Sequence, residues 1–215
     1  MANTNKPSGL TPVKYMNGVD WDGRGNVYYI GAGNAEAFYV GDLVKINTVL
    51  ANADTKNGLQ SIMKAAQGDT VVGVLLAVGT QYSGPYADPN NLTVLSAPAT
   101  KTQAYYAFVA DDPNIVFEIQ ESAATYGTGT AFTASATSAN CNVVIHAPAS
   151  TTIPASGTVI DVGTPAAATN TFDLRLLGLV QRYDNGALNT FGKYAKWLCK
   201  LNLHRYATTT GVLSS

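Results

Sequence analysis

Short runs of apolar residues, separated by glycine, proline and asparagine corners, dominate this chain. The clearest case is residues 104–121, where two runs rich in aromatic and β-branched residues flank Asp111-Asp112-Pro113-Asn114. Pro113 presets the backbone for the second position of a type I turn, and Asp112 and Asn114 favour such a corner. The pattern therefore predicts a β-hairpin with a tight polar tip.

The second arm of this hairpin has the period-two alternation of a half-buried strand. One face carries Ile115, Phe117 and Ile119, and the other carries Val116, Glu118 and Gln120. Similar apolar runs predict strands over residues 27–30, 37–40, 43–46, 93–95, 172–180 and 194–203, and Asn185-Gly186 is a strong turn pair between the last two. The chain as a whole predicts an all-β fold.

Two Gly-Asp pairs, at 41–42 and 68–69, each precede an apolar strand. Residues 71–78 are apolar on both faces, which predicts a central strand covered on both sides. Between these strands, residues 57–66 are the best helix candidate, because Ile62, Met63 and Ala66 give one apolar flank.

The domain organisation predicted is an extended N-terminal arm over residues 1–26 and a single β domain over residues 27–215. The arm is polar and broken by proline and glycine, so it is either a frayed tail or a segment that orders on a neighbouring subunit. An irregular loop at 82–92 and an Ala-, Thr- and Ser-rich excursion at about 122–171 interrupt the domain. We expect the excursion to be weakly packed at a contact surface. The architecture expected is a β-barrel or jelly-roll-like sandwich with short strands and long loops.

The composition limits the classes of function that this protein can have. Only 13% of residues are charged, about half the usual share, and a surface with few charges resists self-association poorly. This suits a protein that lies against other protein, although any low-charge secreted or phage-like β-protein shares the feature. The net charge is −1, and the scattered Lys and Arg residues lack the basic patch that nucleic-acid binding requires.

The hydrophobic pattern of the sequence predicts neither a membrane-spanning segment nor a signal peptide. The chain has no apolar run of about 18 residues that would span a membrane, and its first residues lack the apolar region of a signal peptide. We therefore expect synthesis in a cytoplasm and no membrane partner. Cys141 and Cys199 have no CxxC spacing, so a buried, reduced pair is expected.

Candidate chemistry is sparse, and the sequence predicts neither an enzyme nor a cofactor. There is no G-x-S-x-G elbow, P-loop or zinc spacing, and Asp20 and Asp22 lack the other ligands of a calcium loop. His146 and His204 lie far apart, so each is expected to be a hydrogen-bonded structural residue.

A glycosidase would need two carboxylates in one cleft. The available carboxylates are Asp111, Asp112, Glu118 and Glu121. Positions in a turn or on the solvated face of a strand account for these acidic residues as well as a catalytic role does.

Three blocks, at residues 105–121, 174–206 and 208–212, together resemble a family of tailed-bacteriophage virion proteins that are often encoded near the major capsid protein. The first has a strand, an acidic-Pro turn and a strand ending in FE-x-Q. The second has an LR-x-LGL pattern, then Asp184-Asn185, then a strand ending in N-x-H. The Gly-Asp strands at 41–46 and 68–78 are also similar to the β-barrels of capsid decoration proteins.

The resemblance, which covers about half of the chain, implies a virion structural protein without catalytic residues. It would be a cement or decoration protein that binds the outside of the phage head and clamps neighbouring major capsid subunits, as a dimer or trimer. The candidate capsid-contact residues are Leu10, Val13, Tyr15, Trp21, Tyr82 and Tyr86, unless they cover their own domain instead. The alternative is a receptor- or carbohydrate-binding component of a head fibre or tail, whose exposed aromatic residues would stack on sugars.

Overall fold

The computed structural model describes residues 3–49, 53–79, 96–122, 129–148, 154–184 and 186–207. This part of the chain contains sixteen β-strands, a short 3₁₀ turn at Ala134–Ala136 and no α-helix. No helix within the described ranges is long and apolar enough to cross a membrane. The strands pair antiparallel into two five-stranded sheets and three two-stranded ladders. The all-β prediction is confirmed, in the form of a sandwich-like arrangement of sheets.

Each five-stranded sheet combines strands that do not follow one another in the sequence, and they are given below in their spatial order. The first sheet contains β1 (Thr11–Tyr15), β9 (Ile115–Gln120), β16 (Lys196–Leu201), β13 (Leu174–Leu179) and β10 (Asn140–Cys141). The second contains β2 (Asn26–Ile30), β8 (Tyr105–Ala110), β6 (Gly73–Val78), β4 (Leu43–Ile46) and β5 (Ile62–Lys64). The short ladders pair β3 (Phe38–Tyr39) with β7 (Ser96–Ala97), β11 (Val143–Val144) with β12 (Val159–Ile160), and β14 (Tyr183–Asp184) with β15 (Ala187–Leu188).

The Asp-Pro corner at residues 111–114 joins the two sheets and does not close a hairpin. β8 lies between β2 and β6, whereas β9 lies between β1 and β16. The tight turn itself is present, because the Asn114 N–H donates to Asp112 Oδ1 at 2.7 Å. The hairpin prediction is wrong because turn chemistry sets only the local chain direction. The apolar faces of the two arms are covered by strands that come from elsewhere in the sequence.

The main core lies between the two sheets. Phe117, Trp197 and Leu174 enter it from the first sheet, and Leu43 and Val74 enter it from the second. The opposite face of the second sheet packs into a separate apolar cluster that contains Leu75, Phe38 and Ile30. β6 is therefore covered on both faces and is the middle strand of its sheet, as predicted for residues 71–78.

Residues 57–66 form no helix. Ile62–Lys64 is instead edge strand β5, and Ile62 pairs with Ile46 of β4. Asp54 organises the preceding turn by accepting hydrogen bonds from the backbone N–H groups of Lys56 and Asn57. The helix prediction is wrong because a single apolar flank in a short segment fits an edge strand as well, and pairing with β4 buries Ile62 completely.

The Ala-, Thr- and Ser-rich excursion contributes directly to the main core. Val143, Ile160 and Phe132 are buried there together with Cys141 and Cys199. The expectation of a weakly packed excursion is therefore wrong for its described residues, 129–148 and 154–171. The two cysteines are buried and free, as predicted.

The described N-terminal residues are part of the sandwich. Leu10 is 1% exposed and belongs to the main core, and its N–H donates to the Gly41 carbonyl at 3.0 Å. Gln120 accepts from the Lys6 N–H and donates to Asn5 Oδ1. Residues 11–15 then pair with β9. The prediction of an extended arm needs correction here, because isolated apolar residues such as Leu10 are buried by the chain's own sheets.

Candidate functional site

The strand β1 continues into a small β-hairpin over residues 11–21, which we call the N-terminal hairpin. The Tyr15 N–H donates to Val19 O at 2.8 Å, and the Trp21 N–H donates to Val13 O at 3.1 Å. Residues directly opposite in an antiparallel pair project to the same side. Val13, Tyr15, Val19 and Trp21 therefore share one side of the hairpin.

This hairpin exposes apolar side chains at its tip and along β1. Val19 is 58% exposed, Met16 is 49% exposed and Val13 is 38% exposed. Val13 has no partner in β9 because the register shifts between Pro12 and Lys14. Such a bulge leaves the extra residue unpaired and redirects its side chain.

The corner between the sheets supplies a buried carboxylate beside the hairpin. Asp111 is 8% exposed. It accepts hydrogen bonds from Asn26 Nδ2 at 2.8 and 3.1 Å and from the Tyr28 hydroxyl at 2.7 Å. Burial raises the pKa of Tyr28 far above its usual value, so its hydroxyl stays a hydrogen-bond donor.

The N-terminal hairpin and the corner enclose a cleft of about 710 Å³, which we call the edge cleft. Its lining residues are Tyr15, Asn17, Val19, Asp22, Arg24, Gly25, Asn26, Phe108, Asp111 and Asp112. The Tyr15 hydroxyl donates to Asp22 Oδ1 at 3.0 Å, and Arg24 Nε lies 2.7 Å from Asp22 Oδ2. Three carboxylates and one guanidinium give the lining a formal charge of −2.

A second exposed apolar group surrounds the β14–β15 hairpin, which we call the C-terminal hairpin. Tyr183 is 75% exposed and lies opposite Leu188, which is 45% exposed. Phe191 is also 45% exposed, and its ring centroid lies 5.6 Å from that of the buried Trp197. Our sequence reasoning missed these residues. The available signal was the aromatic and aliphatic residues on either side of the Asn185-Gly186 pair in the sequence.

The predicted capsid-contact residues have different environments. Leu10 is a core residue and offers no surface to a partner, which corrects that choice. Val13 is exposed, and Tyr15 and Trp21 are half-buried on the N-terminal hairpin. Both half-buried aromatic residues pack in part against the main core, and the Trp21 indole N–H donates to Arg24 O at 3.3 Å. Tyr82 and Tyr86 lie outside the described residues.

Of the four carboxylates considered for catalysis, two share a cleft and two lie elsewhere. Asp111 and Asp112 line the edge cleft, whereas Glu118 is held by a bidentate ion pair with Arg182 at 2.6 and 2.7 Å. Glu121 does not lie on a solvated face, because it is 0% exposed.

Glu121 is instead a buried link between two parts of the fold. Its carboxylate accepts from Trp197 Nε1 at 2.8 Å and from the Phe132 N–H at 2.9 Å. Burial raises the pKa of Glu121 to about 7, against the opposing effect of these two hydrogen bonds.

The histidines are separate from each other and from the edge cleft. His204 is 0% exposed, and its Nδ1 accepts from the Tyr206 N–H at 3.1 Å. Burial lowers the pKa of His204 to about 4, so it is neutral at pH 7. Among the residues with described positions, no group of three or more His, Cys, Asp and Glu is arranged to hold a metal ion.

Comparison with known proteins identifies no relative. No protein-family model, curated protein or solved structure matches this chain.

Proposed function

We propose that this protein is a non-enzymatic structural protein of a tailed-phage virion. It binds the outside of the head and cements neighbouring major capsid subunits through two exposed apolar hairpins of the sandwich. The resemblance of residues 105–121 and 174–206 to phage virion proteins supports the class. The observation that carries the binding role is the exposure of Met16, Val19 and Tyr183 on these hairpins.

The mechanism is burial of apolar surface between subunits. Each square ångström of apolar surface removed from water contributes about 25 cal/mol, and a specific contact buries about 1,000 Å² or more. Many copies on one lattice add these contributions without any chemistry. With 13% charged residues and a net charge of −1, the surface opposes such contacts only weakly. In this proposal the chain is made in the host cytoplasm and acts on the capsid as a dimer or trimer.

Both hairpins are held firmly by the sandwich, so little conformational entropy is lost when they bind. The N-terminal hairpin pairs with β9, and its Met16 N–H donates to Asn114 O at 2.9 Å. The C-terminal hairpin follows Arg182, which is fixed to Glu118, and Phe191 contacts Trp197.

The test is to mix the purified chain with capsids of its own phage that lack it, pellet the capsids and count bound copies. A stoichiometry that follows the capsid lattice is expected. A few copies per particle would indicate a vertex or tail protein instead. No binding, combined with glycan binding by the isolated chain, would favour the receptor-binding alternative.

A matched pair of variants tests the contact surface. Val19→Asp places a charge on the N-terminal hairpin, whereas Val49→Asp places one at a valine of similar exposure, 52% against 58%. We expect Val19→Asp to lower capsid occupancy and Val49→Asp to leave it unchanged, because burying an unpaired charge in a contact is costly. Equal occupancy for both variants would remove the N-terminal hairpin from the contact.

A further inference from the structure

We propose that the edge cleft is a binding site for a neutral carbohydrate. This proposal does not depend on the capsid-binding role, because it concerns the isolated chain. The cleft volume of about 710 Å³ lies within the roughly 300–1,000 Å³ typical of small-molecule sites. Its lining combines aromatic rings with amide, carboxylate and guanidinium groups, which together suit a ligand that carries many hydroxyl groups.

The polar groups of the cleft are oriented before a ligand enters. Tyr15 and Arg24 both bond Asp22, and Asn26 bonds Asp111. A carboxylate offers about four acceptor positions, and the two contacts to Asp22 occupy about half of them. Its remaining positions can accept sugar hydroxyl protons. The Arg24 side chain is 83% exposed, so its terminal nitrogens face solvent and can donate to sugar oxygens.

Aromatic residues supply the apolar part of the site. Tyr15 and Phe108 are half-buried and line the cleft. A pyranose ring has an apolar C–H face, and contact between that face and an aromatic ring removes apolar surface from water on both sides. Val19 at 58% exposure adds an apolar edge to the same lining.

The negative charge of the cleft lining favours neutral sugars over anionic ones. The lining carries a formal charge of −2, so phosphates, uronic acids and sialic acids meet like charge. A metal ion fits less well, because Asp22 is already paired with Arg24 and Asp111 is already bonded by Asn26 and Tyr28. Neutral hydroxyl groups add to these bonds without displacing them.

The experiment uses the full chain and a panel of neutral trisaccharides of glucose, galactose, mannose and N-acetylglucosamine, with trigalacturonate as the anionic probe of matched size. Saturation-transfer NMR on the sugar protons reports binding. The fluorescence of the wild-type chain gives a second readout, because the Trp21 indole N–H donates to the backbone of Arg24, which lines the cleft. We expect at least one neutral trisaccharide to bind with a Kd of about 1 mM or tighter and at least tenfold more tightly than trigalacturonate.

Two variants locate the site. Val19→Trp fills the cleft from an exposed position, and Arg24→Ala removes an exposed donor, so neither should disturb the fold. We expect at least a tenfold loss of affinity for Val19→Trp and a smaller loss for Arg24→Ala, with unchanged melting temperatures. Val49→Trp is the control and should bind normally. The proposal is overturned if no panel member binds, if trigalacturonate binds equally well, or if folded Val19→Trp keeps the original affinity.

Discussion

Truncating Leu10 to alanine should destabilise the fold strongly, although this residue lies in a polar N-terminal segment. The Leu10 side chain is 1% exposed and packs in the main core between the sheets. The change removes three carbon atoms, which at about 0.8 kcal/mol each gives roughly 2.4 kcal/mol of lost transfer free energy. A residual cavity adds to this loss, so we expect a total of about 3–4 kcal/mol.

Urea unfolding followed by the fluorescence of buried Trp197 measures this loss. A domain is typically stable by about 5–15 kcal/mol, so the midpoint should shift clearly while the m-value stays unchanged. Met16→Ala is the control, because Met16 is 49% exposed, and its cost should stay within about 0.5 kcal/mol. A loss below about 1 kcal/mol for Leu10→Ala would refute the reasoning and restore a detachable arm.

Two further predictions concern the interior. Because the folded pKa of Glu121 is about 7 and the unfolded value is about 4.3, the contribution of Glu121 to the free energy of unfolding should be largest below about pH 4 and fall by about 1.4 kcal/mol per pH unit until about pH 7. His204, with its lowered pKa of about 4, contributes with the opposite sign, so the measured quantity is the difference between the wild type and Glu121→Gln in urea titrations at several pH values. This difference should change across the range in the direction given, and a difference that is independent of pH would contradict the assignment. Gly41→Ala should destabilise more than Gly58→Ala, since both have positive φ but only at Gly41 would a Cβ overlap the Ser8 carbonyl oxygen; equal melting temperatures would contradict this.

Strands such as β9 and β16 could be predicted from the sequence because their periodicity is local, whereas β1 and β5 were assigned to an arm and to a helix. The alternation in β16 puts Trp197, Cys199 and Leu201 on the buried face, as the structure confirms. The pairing of strands could not be predicted, because period two fixes which face is buried but not which strand lies beside it. The Asp-Pro sequence after Ala110 therefore predicted the turn correctly, but the prediction that β8 and β9 pair with each other was wrong.

The buried polar groups and the edge cleft depend on contacts between distant residues. Glu121 follows a strand whose sequence indicates a solvated face, and its burial comes from Trp197, 76 positions away. Asp111 meets Asn26 and Tyr28 across more than 80 positions. Leu10 lies in a polar segment without a regular spacing of apolar residues, so the hydrophobic pattern did not predict that it is a core residue.

Val19 takes part in both proposed activities, so capsid binding through this residue should compete with sugar binding. Val19 lies on the exposed tip of the N-terminal hairpin and also lines the edge cleft. If the N-terminal hairpin binds the capsid, a subunit that covers Val19 also closes the cleft, so the capsid-bound chain should lose its trisaccharide. If binding uses the C-terminal hairpin around Tyr183 instead, the cleft stays open and the trisaccharide should be retained on the capsid. Pelleting capsids with a labelled trisaccharide, with and without the protein, distinguishes the two arrangements. Retention of the label would contradict docking through the N-terminal hairpin while leaving the cleft assignment intact.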